Sequence, residues 1–591
     1  MALIGMLFAG TQARAQQGTV TGNVTDEQGA PLRGVSVVVK GTSTGTLTNN
    51  NGAFSIRATP GQVLQFKFIG TAPAERPVGN ESVINVQLKR VAAALDAIVV
   101  TALGQTSSQR ELGTAQQTVQ GADIAKTQRV NFVNALAGRV AGVDVTSTSG
   151  APGSSTSIVI RGVSSISSTN QPLMIVDGLP IDNKTTNTGS LASDAPTSAL
   201  AFSNRNVDFT NRAADINPED IESLTVLKGP EASALYGIDA ANGAIVITTK
   251  RGRAGVGGFS YSNSFTMVQV RATPDIQNTF GPSGTLSISG SGYGSYLFFG
   301  APYPSATSHF DNIGNFFQTG VSQKHNLSFS GGAVDGRLSY RISGSSTKEV
   351  GVIPNTGLNK INLTGSSQGQ VASWLTADLS MIDSYANNDK AFKGDDSPLI
   401  GLLAWPDTNN AANWLTPAGT RARITGLNAA TEVDNPYFAV NKNKSNDRTN
   451  RIIINAGFNI LPFSWGYLKA NIGTDAYTSQ SLMLRHPESA MSGSSNGILD
   501  INDDITRNLT AQTLFHVNDR EIFKGLSLNG LVGNSVSDQK STVDGAEGIQ
   551  FLDPNFISIN NTGNKSDRTV ISQRRLVSAF GQATANFRNY L

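Results

Sequence analysis

The sequence predicts a mainly β protein in three successive parts: a small β-sandwich, a mixed α/β unit, and the N-terminal part of a transmembrane antiparallel β-barrel. Three observations carry that expectation. Glycine is abundant, at 61 of 591 residues, and Ser, Thr and Asn are frequent, a profile that favours strands and turns over helices. Charged residues are only 15%, against roughly 25% in an average soluble protein. Beyond about residue 257 the chain alternates apolar and polar residues in runs separated by turns and polar loops.

Composition also excludes several classes. A formal net charge of +2 gives no imbalance pointing to nucleic acid. With no cysteine there is no disulfide framework, thiolate metal site or Cys nucleophile. After the N-terminus no apolar run reaches 18 residues, so a helical membrane span is not expected. Barrel strands alternate and escape such a search.

Residues 1–15, MALIGMLFAGTQARA, read as a secretory signal. Ala2 to Gly10 supply an apolar core, and Ala13-Arg14-Ala15 a small-x-small cleavage pattern before Gln16. The basic stretch that normally precedes the core is missing, so a longer signal is expected upstream.

Residues 18–90 follow as a β-sandwich. TVTGNVTD, GVSVVVKGT, AFSIRA, QVLQFKFIG and VINVQLKR are short strand-like runs, and Asp26 to Gly29 and Asn49 to Gly52 are turn sequences. The order GxVTD, G-x-P-L-x-G-V-x-V and NGxF resembles the carboxypeptidase-regulatory-like domain. That resemblance implies the fold and no peptidase activity, since fold does not carry chemistry.

Residues 91–110 are read as a linker. Within it Asp96, Ala97, Ile98, Val99, Val100 and Thr101 form an extended β-branched stretch, suited to adding as a strand to a partner's sheet edge. The same residues also suit the last strand of the sandwich. The stretch resembles the TonB box, which usually has Glu where Ala97 stands.

Residues 111–252 read as the mixed α/β unit. Asp123 to Gly138 has helical spacing, GVDVTS and TSIVIRG read as strands, and PLMIVDGLPI as a hairpin bent at Asp177-Gly178. INPEDIESLTVLKGPEASALYG reads as short helix, strand and second helix, and AIVITTKRG as a further strand. Asn183 to about Asp215 is a polar insert, expected to be a loop. The unit resembles the plug of the SusC/RagA-like TonB-linked outer-membrane proteins. The matching residues are Arg161-Gly162, Asp177-Gly178, Glu219, Glu222, Lys228, Tyr236-Gly237 and Asn242-Gly243, in family order. Gly229-Pro230-Glu231 departs mildly from the pattern. Arg161 is a candidate either for a buried ion pair with the barrel wall or for a strand cap. Glu219 and Glu222 are its candidate partners or surface charges, and Asp177-Gly178 is most simply a turn.

Residues 253–591 read as a partial barrel. In Arg337 to Ser343, the apolar Leu338, Tyr340 and Ile342 share one face, and Arg337, Ser339, Arg341 and Ser343 the other. An arginine at mid-membrane on the lipid face costs about 2–4 kcal/mol, so the apolar trio is expected outward. Asp335-Gly336 supplies the turn from the strand His325 to Gly331. Further strands are expected at 259–270, 360–364, 374–382, 452–460, 467–475, 509–517, 526–536 and 575–587. Leu461 to Phe463 and Asn518 to Gly525 read as short turns, and Asn387 to Thr449 as a long polar loop. About ten strands result, where a plugged transporter barrel needs about 22, so the sequence is expected to be a fragment.

No catalytic constellation emerges. His309, His325, His486 and His516 are far apart, and neither H-E-x-x-H nor a phosphate-binding G-x-x-x-x-G-K-[ST] loop occurs. Asp395-Asp396 and Asp503-Asp504 read as solvated loop pairs. No metal and no cofactor is expected, and the chain is not expected to be an enzyme. The family resemblance implies import across a Gram-negative outer membrane of a glycan or oligopeptide. The implied partners are TonB with its ExbB/ExbD energy complex, a SusD-like surface lipoprotein and outer-membrane lipid. Signalling or siderophore reception is the competing reading, against which the N-terminal sandwich argues.

Overall fold

A computed structural model describes residues 18–26, 29–40, 42, 44–68, 74–79, 81–88, 98–100, 106–108, 115–166, 169–185, 207–252, 257–281, 285–286, 295–296, 299–333, 335, 337–394, 397–423, 433–463, 465–523 and 525–587. The expected signal, Asp96, Ala97, Thr101, Gly336 and Asp395-Asp396 lie outside them. The chain divides into two compact units, Met1–Ile98 with Ser107–Arg110, and Val99–Thr106 with Glu111–Leu591.

In the first unit a three-stranded sheet orders Ala53–Ala58, Gly18–Thr25 and Val86–Gln87, and a four-stranded sheet orders Gly45–Leu47, Ser36–Val39, Val63–Lys67 and Ala74–Pro77. Alternation places Val37 and Val39, Phe54 and Ile56, and Leu64 and Phe66 inside one shared core. The Phe54 and Phe66 rings meet edge to face at 5.4 Å, joining one sheet to the other.

In the second unit a five-stranded mixed sheet orders Gln116–Gln120, Ile221–Leu227, Ala244–Thr249, Leu173–Val176 and Leu179–Ile181. Its central strands are largely apolar and buried, as in Leu173–Val176 and the Ala244 to Ile247 part of Ala244–Thr249. Val143–Ser147 pairs with Thr156–Ile160 beside it. The helical spacing expected over Asp123 to Gly138 resolves into an α-helix Gly121–Ala125 and a 3-10 turn Phe132–Leu136. Gln128, at φ 53°, breaks the run, and the Asn131 side chain caps the second piece by accepting from Val133 N.

The remaining strands form one antiparallel sheet of ten, each paired with its chain neighbour. They are Gly258–Val268, Gly320–Gly332, Leu338–Val350, Gly357–Ala372, Leu375–Lys390, Lys444–Phe463, Gly466–Arg485, Ile498–Phe523, Leu526–Phe551 and Thr562–Phe587. Leu338, Tyr340 and Ile342 face outward, with Arg341 and Ser343 buried on the inner side, as the cost of a lipid-facing arginine demands.

The strands run longer than alternation alone marks. Lys444–Phe463 includes Leu461 to Phe463, Ile498–Phe523 includes most of Asn518 to Gly525, and the expected loop Asn387 to Thr449 loses both its ends to strands. Pairing continues where the outward residues turn polar, so backbone hydrogen bonding outlasts the apolar signal. Within that loop Pro398–Ala404 and Pro436–Lys442 are short helices, capped by Ser397 and Asn435. Short turns at one end of the sheet and long connections at the other match the periplasmic and extracellular ends of outer-membrane barrels.

Candidate plug and barrel-wall interface

The α/β unit touches the inner face of the ten-stranded sheet mainly through Val207 to Asp220. Sequence reading made the insert Asn183 to Asp215 a loop; 186–206 lie outside the described residues, but 207–215 form a buried belt. Its polar residues lie against inward-facing Asn, Lys and Arg side chains of the wall, and its Val207 and Phe209 pack on wall residues Phe392 and Met483.

The densest node is Arg451, on Lys444–Phe463. Its Nε and Nη2 each donate at 2.8 Å to the two carboxylate oxygens of Asp475 on the next strand. Its remaining donors reach the plug: Arg212 O at 2.7 Å, Asp215 Oδ2 at 3.2 Å and Asp182 O at 2.8 Å. All five guanidinium N–H groups are thereby used. Tyr477 stands beside the node, its hydroxyl donating to Asp182 Oδ2 at 3.0 Å. The Arg212 and Arg451 guanidinium carbons lie 5.7 and 5.8 Å from the Tyr477 ring centroid.

Two further nodes flank it. Arg341 pairs with Asp220 at 2.7 Å, and Ser343 Oγ donates to the same carboxylate oxygen at 2.6 Å. Lys390 pairs with Asp447 at 3.5 Å and donates to Asp208 O and Thr210 Oγ1, while Asn388 Nδ2 reaches Thr210 Oγ1 at 3.0 Å. Burial alone raises the Asp208 carboxyl pKa, but Lys390 and the Ser155 and Thr148 hydroxyls outweigh it and hold the group below its ordinary range. Lys360 donates to Ala214 O, and Asn362 to Asp215 O at 2.6 Å. Arg341, Lys390 and Arg451 thus each face a carboxylate, as buried ions require.

The hairpin tip is held separately. Asp177 and Gly178 take φ of 49° and 89°, the left-handed pair of a two-residue hairpin turn. The Asp177 carboxylate accepts from Thr249 N at 3.0 Å and Thr249 Oγ1 at 2.6 Å, and its carbonyl accepts from wall residue Asn455 at 2.8 Å. Leu179 packs onto the wall at Gly473, where a Cβ would come within 3.0 Å of both Leu179 methyls.

The other motif residues are spread over the plug. Arg161, at φ 59°, is exposed; among the described residues its side chain has no wall carboxylate, and the buried plug-to-wall ion pairs come from Arg341 with Asp220 and Arg451 with Asp215, Lys390 adding hydrogen bonds to Asp208 O and Thr210 Oγ1. Gly162 follows at φ 95°. Glu219 accepts from Gln128 at 3.3 Å, and Glu222 is exposed. Lys228 reaches Gln117 at 3.1 Å, and burial, with Arg161 nearby, lowers its pKa. Tyr236 is buried with Ala232, Ala240 and wall residue Leu514. Gly237 and Gly243 turn the chain at φ 74° and 89°, and Asn242 bonds Ser164 and Thr169. In the linker, Ile98–Val100 pairs with Thr106–Ser108 in a two-stranded sheet. Asp503 and Asp504, read as loop residues, lie inside Ile498–Phe523, and Asp504 accepts from Thr506 and Ser541.

Sequence reading missed Arg212, Asp215, Asp220, Arg341, Arg451 and Asp475 as one assembly. Inward arginines on alternating strands were the available signal, and it was read only at Arg341. A cavity of about 1170 Å³ opens beside the plug, lined by Tyr236, Asn242, Asn508, Gln512, Ser537 and Arg574 among others. Its walls are largely hydroxyl and carboxamide, suited to a neutral polar solute.

Comparison with known proteins adds to this geometry. Residues 108–244 match the TonB-dependent Receptor Plug Domain, and residues 20–100 the CarboxypepD_reg-like domain. The chain is 34% identical over 363 residues to TonB-dependent receptor SusC of Bacteroides thetaiotaomicron, covering 61% of this chain and 33% of that protein. It is 31% identical over 387 residues to TonB-dependent receptor P39 of Formosa agariphila, covering 64% and 33%. The RagAB peptide importer in its open-open state superposes with a TM-score of 0.62 at 21% identity, over 83% of this chain and 55% of that one. The ferric citrate transporter FecA shares the fold at a TM-score of 0.50 and 11% identity, over 83% and 56%. The matches span about a third of the length of these curated relatives.

Proposed function

We propose, from the premise that this chain belongs to the SusC/RagA-like TonB-dependent receptors of the Gram-negative outer membrane, that the whole protein imports a large polar nutrient under the control of its plug. The observation that carries this reading is the belt Val207 to Asp220, fixed to the inner wall by Arg451, Arg341 and Lys390. A plug held by reversible ion pairs and hydrogen bonds, with a small apolar contact of Val207 and Phe209 on Phe392 and Met483, can be released without melting the wall.

The proposed sequence begins with substrate arriving from a SusD-like surface lipoprotein. Its binding closes the outer entrance and shifts the plug. The segment Asp96 to Thr101 then becomes accessible in the periplasm, where TonB, driven by ExbB/ExbD, pairs with it as an added strand and pulls. Part of the plug leaves the wall and a path opens. An oligosaccharide or oligopeptide suits the largely hydroxyl- and carboxamide-lined cavity, where Lys184 and Arg574 are already paired with Asp182 and Asp239.

The test uses the full-length receptor in a strain lacking its own copy, grown on starch oligosaccharides or on mixed oligopeptides as sole carbon source. Growth on one of these, lost on deletion of residues 96–101, supports import. The chain has no cysteine, so a Thr210→Cys/Asn388→Cys pair gives a clean plug-to-wall crosslink. Growth blocked by that crosslink and restored by reductant supports plug release; growth unaffected by a formed crosslink rejects it.

A further inference from the structure

The outer face of the sheet carries a cluster of cations, and neither the plug nor the import reading uses its Arg507 and Arg575. On Ile498–Phe523 the inward residues Thr506 and Asn508 are buried, while Ile505 and Leu509 face outward at 52% and 43% exposure. Arg507 lies between these two and shares their face. The ladder sets it directly opposite Lys540, and one strand further on Asp538 stands opposite Arg575. Arg575 Nε donates to Asp538 at 2.7 Å. Three cations and one carboxylate therefore occupy one outward patch.

Two features of the patch point to a ligand. Like charges directly opposite on one face of a ladder repel, and the single carboxylate Asp538, which Arg575 engages and whose field Arg507 shares, leaves the three cations with an excess of positive charge. The height of the patch is also particular. On the same strand Phe515 joins an outward aromatic group, with Trp465 at 6.0 Å and Phe463 stacked on Trp465 at 4.9 Å. Such aromatic groups mark the edge of the apolar band. Between Phe515 and Arg507 the outward residues are Thr513, Ala511 and Leu509, opposed by Asn534, Val536 and Asp538. At about 3.4 Å per residue and a tilt of about 40°, Arg507 stands roughly 20 Å above Phe515, close to the ~25 Å band height. The cations thus sit at the opposite edge of the band, on the side of the long connections, where lipid phosphates lie.

We propose that Arg507, Lys540 and Arg575 form a binding site for the phosphate group of an outer-leaflet lipid, with Asp538 holding Arg575 in place. The arginines present planar forks to phosphate oxygens, Lys540 adds a point charge, and exposed Leu509, Val536 and Val577 beneath them receive acyl chain. The occupant is a phosphate-bearing lipid because Arg507 and Arg575 lie on the face that carries the apolar band and do not line the cavity, which Lys540 borders.

The test places the full-length receptor in phosphatidylcholine nanodiscs containing equal amounts of bisphosphorylated and dephosphorylated lipid A, and counts retained lipid by native mass spectrometry. The unmodified receptor is expected to retain the bisphosphorylated form preferentially. Arg507→Gln/Lys540→Gln is expected to lower that preference about tenfold or more. Equal retention of both forms by the unmodified receptor overturns the proposal. So does an unchanged preference in the double variant, or displacement of lipid A by equimolar inorganic phosphate. If the double variant fails to assemble, the comparison on the unmodified receptor decides. Because the readout is lipid and not growth, its failure is separate from failure of the import reading.

Discussion

Arg451 and Asp475 form a two-pronged ion pair across adjacent wall strands, with both contacts at 2.8 Å and side chains 1% and 0% exposed. The same guanidinium also holds three plug oxygens, so one residue belongs to the wall and to the latch at once.

Arg451→Met leaves Asp475 and Asp215 buried beside a missing charge. Breaking such a pair costs about 3–5 kcal/mol. The plug is expected to unfold at lower urea in the full-length receptor. Arg451→Met/Asp475→Leu is expected to recover part of the loss, since Arg212 still faces Asp215. Urea titration followed by plug proteolysis measures both; equal midpoints for the single variant and the unmodified receptor contradict the latch.

Ile342→Arg places a charge on the lipid face beside Tyr340 and Leu338, at an expected cost of about 2–4 kcal/mol. Ser339→Arg on the inner side of the same strand is expected to cost much less. Equilibrium folding into lipid bilayers distinguishes the two positions.

What was legible in the sequence follows from periodicity. Leu338, Tyr340, Ile342 and Arg341 gave the facing of their strand because one charge fixes a period of two. The Asp177-Gly178 bend was legible from turn chemistry, which is local. The belt at Val207 to Asp220 was not, because its few apolar residues, Val207, Phe209 and Ile216, are interspersed among polar ones with no sustained period, and its burial comes from Arg451, Lys390 and Asn362 over 140 residues later. Arg161 was weighed as a wall partner because its motif is prominent; its left-handed backbone and exposed side chain make it part of a turn.

His486 follows the strand Gly466–Arg485 and is packed edge to face on Phe438 at 5.7 Å. Its Nδ1 accepts from Glu488 N at 3.2 Å, so the ring is neutral. Burial, with Lys442 nearby, lowers its pKa from 6.5 to about 4. A depressed folded pKa means that the histidine's contribution is complete above 6.5 and is lost as pH falls through about 4. Hydrogen exchange in the loops around Phe438 is expected to quicken across that window and to change less in His486→Gln. Asp434 and Arg421 are present in both proteins, so the difference isolates the imidazole.

Phe66→Ala empties the centre of the N-terminal core, where Phe66 is 0% exposed. Loss of a buried phenylalanine costs about 3–5 kcal/mol, most of what a domain of this size possesses. Limited proteolysis of the full-length receptor is expected to cut first within residues 18–88. The variant leaves barrel assembly intact, and protection equal to that of the unmodified protein rules the prediction out.

The five donors of Arg451 have a mechanical meaning. A guanidinium with an unused N–H can exchange partners one at a time, and a segment held that way creeps under load. Arg451 has none to spare, so the belt it grips has no half-slipped position to rest in. Its response to traction is therefore a yield point: rigid under small tugs, then abrupt surrender. A latch of that kind ignores thermal jostling and answers only to sustained work.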